Sequence, residues 1–335
     1  MRVLEVREPF GIDSLAFTTR PNPAPGPRDV VIQLQALSLN YRDRLVIDGV
    51  NRWRAHEPRI PVSDGVGAVV AIGHSVTRFG VGDRVAPTLY PRWLDGGPAT
   101  EKLQGALGGG ATDGLYAEYA TVHETALVSA PRHLSDEEAA TLPCAALTAW
   151  NAVAEGPVLG EGDTAVMLGT GGVALFALQF ARLLGARTII TSSSDAKLAR
   201  ASELGADAGI DYRATSDWPR AVRDLTNGAG ADLVVDTVGS LAEAVDAVRI
   251  GGTISYVGLL RGTKSTVDLV KLMGSSATIR AIDVGSRAMF ESMNRAIERA
   301  KLRPVIDRTF AFDEAHDAFR YLSDGAHFGK VCVRL

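Results

Sequence analysis

A glycine-rich turn at residues 169–174 is the feature that most limits how this chain can fold. The apolar, strand-like run TAVMLG ends in Gly169, and a helix-like segment with apolar residues at helical spacing follows it. Gly169, Gly171 and Ala174 fill the three positions of G-x-G-x-x-G/A, which give a tight turn, close backbone approach to a pyrophosphate, and close helix–strand packing. Strand, turn and helix therefore predict a dinucleotide site rather than a turn without a ligand. Its predicted contacts are Gly169, Thr170, Gly171, Gly172 and Val173.

The 335 residues fall into two regions with different sequence patterns. Before residue 130, short strand-like runs such as 30–40, 65–73 and 83–90 are broken by Gly and Pro, which predicts a β-rich, partly closed domain. From Asp163 onward, strand-like and helix-like segments alternate, which is typical of a doubly wound parallel sheet. The chain is thus expected to be an α/β protein of two domains.

Composition excludes several classes of function. The net charge of -4 argues against a nucleic-acid surface. No apolar run is long enough to cross a bilayer, and the N-terminus lacks the apolar region of a signal peptide. With only two cysteines, Cys144 and Cys332, a disulfide framework is not expected. These features predict a cytoplasmic enzyme.

The segment after the second strand of the alternating region bears on the choice between NAD and NADP. An acidic residue roughly 20 residues past the turn would bind a ribose 2′-hydroxyl, but TIITSSS ends in serines that include Ser192 and Ser193. Lys197 follows in the first helical turn, and Tyr212 follows the next strand. Hydroxyls and a cation suit a 2′-phosphate, so NADP is favoured. The alternative is that Ser193 and Asp195 only cap a helix while Lys197 is solvated.

With these motifs placed, nearly the whole chain resembles the medium-chain dehydrogenase/reductases, specifically their zinc-free, quinone-oxidoreductase-like branch. The matching stretches are LNYRD (39–43), PVSDGVGAVVAIG (61–73), VGDRV (81–85), DGLYAEY (113–119), LPCAALTAW (142–150), LGTGGVALFALQFAR (168–182), ELGAD (203–207) and FGKVCVRL (328–335). The resemblance implies a GroES-like catalytic domain at 1–148 and 286–335, a Rossmann domain at 149–285, and an active-site cleft between them. It also implies a homodimer joined edge to edge through the last Rossmann strands, at residues 253–260 of this chain.

The resemblance also bears on zinc. In zinc-containing relatives a Cys, a His and a Cys hold the catalytic ion, and the matching positions of this chain are Asn40, Ser63 and Cys144. One thiolate cannot hold a tetrahedral catalytic zinc, so no metal is expected. Conjugated acceptors, which carry their own activation, are then favoured over unactivated alcohols.

The same resemblance assigns the remaining site residues. Asn40 is expected to donate a hydrogen bond to an oxyanion, Tyr41 to donate a proton unless solvent does, and Arg42 to bind phosphate or substrate. Trp93 and Leu94 are expected to line the substrate pocket. Further cofactor contacts are expected from residues after successive strands and from family-like positions: Thr148, Thr237, Val238, Val257, Gly258, Leu259, Val284, Phe328 and Lys330.

The resemblance thus implies an NADPH-dependent reductase that transfers a hydride to a quinone or an α,β-unsaturated carbonyl. Two alternatives stay open. One is a zinc-free, NADP-dependent alcohol dehydrogenase or carbonyl reductase, and the other is an NADPH-binding protein with little turnover.

Overall fold

The computed structural model describes residues 1–55, 58–156 and 159–335, which divide into two compact units. Unit 1 comprises 1–147 and 285–335, and unit 2 comprises 148–284. None of the helices in these ranges has the length and apolar character needed to cross a bilayer.

Strands dominate the chain before residue 130, and strands alternate with helices after residue 160. The strands are β1 (Arg2–Glu5), β2 (Ala16–Thr19), β3 (Asp29–Leu39), β4 (Asp64–Ile72), β5 (Arg84–Pro87), β6 (Tyr119–His123), β7 (Leu127–Ser129), β8 (Thr164–Leu168), β9 (Arg187–Ser192), β10 (Ala208–Asp211), β11 (Ala231–Asp236), β12 (Val248–Tyr256), β13 (Thr278–Ala281), β14 (Ile306–Ala311) and β15 (Lys330–Arg334). The helices are α1 (Tyr41–Ile47), α2 (Asp136–Ala140), α3 (Leu147–Ala154), α4 (Gly172–Leu183), α5 (Asp195–Glu203), α6 (Trp218–Leu225), α7 (Leu241–Ala247), α8 (Leu269–Ser275), α9 (Arg287–Ala300) and α10 (Ala315–Asp324).

Unit 1 is built on a largely antiparallel sheet of order β14-β15-β3-β4-β5-β7, with β6 also paired to β3. The long strand β3 holds the middle, and the C-terminal strand β15 pairs with it in the register Val331↔Leu39. The chain therefore returns to its first domain at its end. This pairing brings Lys330 to the end of β3, next to Asn40.

The core of unit 1 shows why the C-terminal segment is needed. Tyr116 is fully buried, and its ring contacts Phe17, Phe312 and Phe319. Its hydroxyl donates to the Phe312 carbonyl oxygen at 2.9 Å. Aromatic side chains bury large areas, so residues from both ends of the chain stabilise one core.

Unit 2 contains a parallel sheet of order β10-β9-β8-β11-β12-β13. The inner strands β8 and β11 are apolar along most of their length and almost completely buried. Strands covered on both faces require such runs, whereas strands with one solvated face alternate. The predicted doubly wound α/β domain is confirmed.

Local signals placed several elements correctly. The run Ser135-Asp136-Glu137-Glu138 before an apolar segment predicts a capped helix start. The capping box is present, since Glu138 N–H donates to Ser135 Oγ at 3.2 Å and Ser135 N–H donates to Glu138 Oε2 at 2.8 Å. The sequence also predicts a helix over 287–300, and α9 spans these residues. Helix α8 was not identified from the sequence.

The prediction of which strand forms the edge of the unit 2 sheet was wrong. The run 253–260 was expected at the edge, but β12 ends at Tyr256 and lies between β11 and β13. Its backbone groups are paired with neighbours on both sides. On this side of the sheet the outermost strand is β13, whose outer edge can accept another strand.

Candidate functional site

The glycine turn of unit 2 links β8 to α4. Gly169 has φ +91°, a conformation that side chains with a Cβ rarely adopt. Ala174 is buried under the helix, as the third position of the motif requires. The predicted sequence of strand, turn and helix is confirmed.

The start of α4 leaves room for an anion. Gly171 is the N-cap residue, and no side chain caps the helix. A Cβ placed on Gly171 would meet no atom of the described residues within 4 Å, so these residues leave the space beside this backbone open. Uncapped N–H groups at a helix start attract phosphate. The residues present therefore fit the pyrophosphate of a dinucleotide.

The neighbouring strands place the predicted 2′-phosphate residues along one edge. Ser192 ends β9 and is paired in register with Asp211 of β10. Tyr212 donates its N–H to the Ser192 carbonyl oxygen at 3.1 Å, and its side chain is exposed. Lys197 lies in the first turn of α5 and is half-buried.

The alternative role given to Ser193 was wrong in one respect. Ser194, not Ser193, is the N-cap residue of α5, and its hydroxyl accepts the Lys197 N–H at 3.4 Å. The hydroxyl of Ser193 is therefore not used for capping. Ser192 Oγ accepts the Ser194 N–H at 3.3 Å.

The predicted cofactor residues that follow β11 and β12 lie at the same carboxyl edge of the sheet. Thr237 follows β11, and its hydroxyl donates to the Leu168 carbonyl oxygen at 2.5 Å. Val257 and Gly258 each donate an N–H to the Asp236 carbonyl oxygen at 2.9 Å, and Leu259 follows them. Thr148 in α3 and Val284 after β13 are both buried, and the Val284 carbonyl oxygen accepts the amide of Asn151 at 2.6 Å.

Asp236 also lies at this edge, and the motifs described above did not indicate it. Its Oδ1 accepts the N–H groups of Val238 and Gly239 at 2.9 and 2.8 Å, which shapes the turn after β11. The carboxyl is fully buried, and this burial raises its pKa. An Asp at the end of an apolar strand and three residues before a Gly is the signal that identifies such a turn.

In unit 1, the start of α1 carries the predicted catalytic residues. Asn40 precedes the helix, and its N–H donates to Asp43 Oδ2 at 2.8 Å. Tyr41 is exposed on the first turn. Arg42 Nη1 donates to the Leu107 carbonyl oxygen at 3.1 Å and lies 3.4 Å from Asp43 Oδ1. In these contacts Arg42 holds the loop near residue 107 against α1.

Lys330 has an unexpected environment. It is 4% exposed, and its Nζ donates to the Leu39 carbonyl oxygen and to Asn40 Oδ1, both at 2.6 Å. Phe328, two residues earlier, is also buried. The sequence suggested Lys330 only as a cofactor contact, because the pairing of β15 with β3 is not visible in a linear pattern.

Asp64 is the second buried acid beside Asn40. It accepts the Ser63 hydroxyl at 2.7 Å and the Cys144 N–H at 3.0 Å. Burial raises the pKa of Asp64, while the nearby Lys330 lowers it. Burial likewise raises the pKa of Asp43 to about 6, although Arg42 opposes the shift.

The three positions that match zinc ligands do not fit a metal. The Asn40 oxygen accepts from Lys330, and the Ser63 hydroxyl donates to Asp64. Burial raises the pKa of the Cys144 thiol, which disfavours the thiolate that zinc requires. Within the described ranges, no group of three His, Cys, Asp or Glu residues is arranged to hold an ion.

The two predicted pocket residues lie in the loop after β5. Trp93 is 2% exposed, and its indole N–H donates to the Gly96 carbonyl oxygen at 2.8 Å. The Leu94 carbonyl oxygen accepts the Ala288 N–H at 2.9 Å, and its side chain is half-buried. The Trp93 carbonyl oxygen accepts the Arg287 N–H, also at 2.9 Å. Both residues are therefore held against the start of α9 by backbone contacts.

The fold and the glycine turn together define an oxidoreductase that binds a nicotinamide dinucleotide. Two family models match the chain, "Alcohol dehydrogenase GroES-like domain" over residues 26–132 and "Zinc-binding dehydrogenase" over residues 172–299. The chain belongs to the medium-chain dehydrogenase/reductase superfamily.

Individual relatives agree with this assignment. A zinc-type alcohol dehydrogenase-like protein of Schizosaccharomyces pombe is 39% identical over 92% of this chain and 91% of its own. The 2-methylene-furan-3-one reductase of Solanum lycopersicum is 31% identical over 91% of this chain and 71% of its own. The crystal structure of a putative alcohol dehydrogenase from Sinorhizobium meliloti 1021 matches with a TM-score of 0.91 and 42% identity, over 96% and 95% of the two chains.

Proposed function

We propose that this protein is an NADPH-dependent reductase that transfers a hydride to a quinone or an α,β-unsaturated carbonyl without zinc. The observation that carries the proposal is the set of hydrogen bonds made by the side chains of Asn40 and Ser63. Lys330 donates to the Asn40 side-chain oxygen and the Ser63 hydroxyl donates to Asp64, so both side chains are already engaged at positions where zinc-containing relatives have metal ligands. Without a Lewis acid, the acceptor must bring its own activation, and conjugation supplies it. The similarity to an enone-type reductase supports this substrate class.

NADP is proposed because the edge formed by β9 and β10 carries hydroxyls and a cation and no carboxylate at the end of β9. Ser192 ends β9, Ser193 and Lys197 come after it, and Tyr212 directly follows β10. A phosphate dianion is stabilised by hydroxyl donors and by an ammonium group. A carboxylate in the place of Ser193 would instead favour a ribose hydroxyl.

In this proposal the residues of the chain bind the dinucleotide, orient the substrate and protonate the product. The nicotinamide of a bound dinucleotide would supply the hydride, and the backbone at 169–173 would hold the pyrophosphate of that dinucleotide. Asn40 donates a hydrogen bond to the substrate oxygen, and Tyr41, exposed beside it in sequence, is the proposed proton donor. Trp93 and Leu94 are proposed as walls of the substrate pocket.

The test is NADPH oxidation by the metal-free protein with a quinone, an enone and a simple aldehyde. Turnover with the quinone or the enone, and little with the aldehyde, is expected. Faster turnover of the aldehyde would support the zinc-free carbonyl reductase instead. Tight NADPH binding with no turnover of any acceptor would support a binding protein. One tightly held zinc ion per chain would overturn the zinc-free proposal.

We also propose a homodimer joined through β13. This strand is one of the two edge strands of the unit 2 sheet, and β10 is the other. Helix α8 precedes it and exposes Leu269, Val270 and Met273, each by more than two thirds. An apolar helix face next to an open strand edge is typical of a surface covered by a second copy.

A further inference from the structure

Four polar side chains of unit 1 form a cluster that is almost completely buried from solvent. Asn40, Asp43, Asp64 and Lys330 are each at most 8% exposed, and we call them the Lys330 cluster. A buried ammonium is costly unless it is paired and hydrogen-bonded. The charges are balanced in number, because Lys330 and the adjacent Arg42 face Asp43 and Asp64. Packing alone would not require such an arrangement of charges, so the cluster points to a role in the site.

We propose that Lys330 is a positioning residue that fixes the orientation of the Asn40 amide, so that its NH2 group is kept as the donor to the oxygen of a carbonyl or quinone substrate. This inference rests on the proposed function and deepens it by naming the residue on which the oxyanion donor depends.

The hydrogen bonds determine which way the amide faces. An ammonium group has donors only, so the Asn40 atom 2.6 Å from Lys330 Nζ must be the oxygen. The same Nζ is held in place by the Leu39 carbonyl oxygen. Lys330 thus removes the ambiguity between the two ends of an asparagine amide.

The NH2 group keeps one underused hydrogen. One hydrogen faces the Asp64 carboxylate, whose pKa this contact lowers. The acceptor for the other is the Ser38 carbonyl oxygen at 3.5 Å, which is longer than an ordinary hydrogen bond. That second N–H retains most of its capacity to donate to a ligand.

Charge strengthens this donor. A hydrogen bond from a cation to the amide oxygen draws electrons from the nitrogen, and bonds in such chains polarise one another. A preorganised donor aimed at developing negative charge is worth roughly 100-fold or more in kcat. Lys330 acts on the reaction through Asn40, whereas a cofactor contact would act through NADPH affinity.

A mutant cycle separates these two roles. The variants are Lys330→Met, Asn40→Ala and the double variant, with kcat and KM measured for the best acceptor and Kd for NADPH. We expect Lys330→Met to lower kcat by roughly 100-fold while Kd for NADPH stays within about threefold. In the Asn40→Ala background, Lys330→Met should cause no further loss. Weaker NADPH binding in both backgrounds, or losses that multiply, would overturn the inference.

Two further variants serve as controls for a folding defect. Lys330→Arg keeps the positive charge and should recover part of kcat. Lys330→Met with Asp64→Asn removes one charge of each sign and should melt closer to wild type than Lys330→Met alone. If Lys330→Met does not fold, this double variant replaces it in the cycle, with Asp64→Asn as its reference.

A spectroscopic readout keeps the inference testable if no acceptor is reduced. The side-chain amide signals of Asn40 are observed in protein labelled with 15N-asparagine and assigned with Asn40→Ala. Lys330→Met should shift both amide protons of Asn40. Unchanged signals would refute the orienting role, whereas shifted signals without turnover would refute only the proposed function.

Discussion

The backbone N–H of Gly169 lies 3.1 Å from both the carbonyl oxygen and the hydroxyl oxygen of Thr191. This shared donor ties the first glycine of the turn to the end of β9. The turn is therefore held in shape by the protein itself, before any ligand binds. The open space beside Gly171 is a feature of the folded chain, and it can be filled without disturbing the fold.

Gly171→Ala should separate binding from folding. Its φ of -78° suits any residue, and among residues 1–55, 58–156 and 159–335 a Cβ meets no atom within 4 Å, so the melting temperature should stay close to that of wild type. The added methyl group would occupy the space of the pyrophosphate, and we expect dinucleotide affinity to fall at least tenfold, about 1.4 kcal/mol. Fluorescence titration with NADPH measures the loss. Gly160→Ala, also in open space in unit 2, is the matched control and should bind normally.

Lys197→Ala should weaken NADPH much more than NADH. A charge-assisted contact to the 2′-phosphate contributes about 1.5–3 kcal/mol, so we expect a loss of roughly tenfold or more for NADPH and less than about threefold for NADH. Dissociation constants of both nucleotides are the measurement. An equal loss for both would show that Lys197 does not contact the 2′-phosphate.

Tyr41→Phe tests the proton donor. If the phenol supplies the proton, kcat should fall by roughly 100-fold, the lower range for general acid catalysis, with KM for NADPH unchanged. Because Tyr41 is 46% exposed, the substitution should leave stability nearly unchanged. A variant with wild-type kcat would assign the proton to solvent.

Glu124→Gln should change how stability depends on pH. Burial would raise the pKa of Glu124, but the N–H groups of Thr77 and Arg78 and the Arg28 guanidinium overcome it and lower the pKa to about 2. Because the pKa of Glu124 is lower in the folded state than its ordinary value of 4.5, the ionised carboxylate stabilises the fold above about pH 4.5. This stabilisation is lost as the pH falls toward 2.

Urea unfolding at a series of pH values measures this effect. Wild type should lose stability between pH 4.5 and 2 more steeply than Glu124→Gln, which should also be less stable at pH 7. Glu101→Gln, at an exposed position in unit 1, is the control and should follow wild type. Parallel curves for wild type and Glu124→Gln would contradict the assignment.

Met273→Lys should weaken the proposed dimer. Met273 is 79% exposed on α8, so the charge is tolerated in a single chain but would be buried at the interface. Light scattering after chromatography should show a shift toward the mass of one chain. Val81→Lys, at an exposed apolar position of unit 1, should leave the mass unchanged. A wild-type protein that is already a single chain would contradict the proposal.

Much of the fold could be predicted because its signals are local. The capping box of Ser135 and Glu138 depends on residues three apart, and the apolar runs of β8 and β11 reflect burial on both faces. The order strand, glycine turn and helix was equally local, and it gave the dinucleotide site. The strand that forms the sheet edge was not predictable, because strand order depends on which distant segments pair.

By itself, the sequence determined the class of this protein, since spacing and residue type along the chain specify a turn, a helix start and a run of strands. Only the tertiary structure decided what surrounds Asn40. Lys330 lies 290 residues away in the sequence, and only the pairing of β15 with β3 brings its ammonium to the amide. No local pattern encodes such a contact, because it forms only when two strands that are far apart in the sequence pair in the folded core. The glycine turn could be located from the sequence, whereas the partners of the predicted catalytic amide could not.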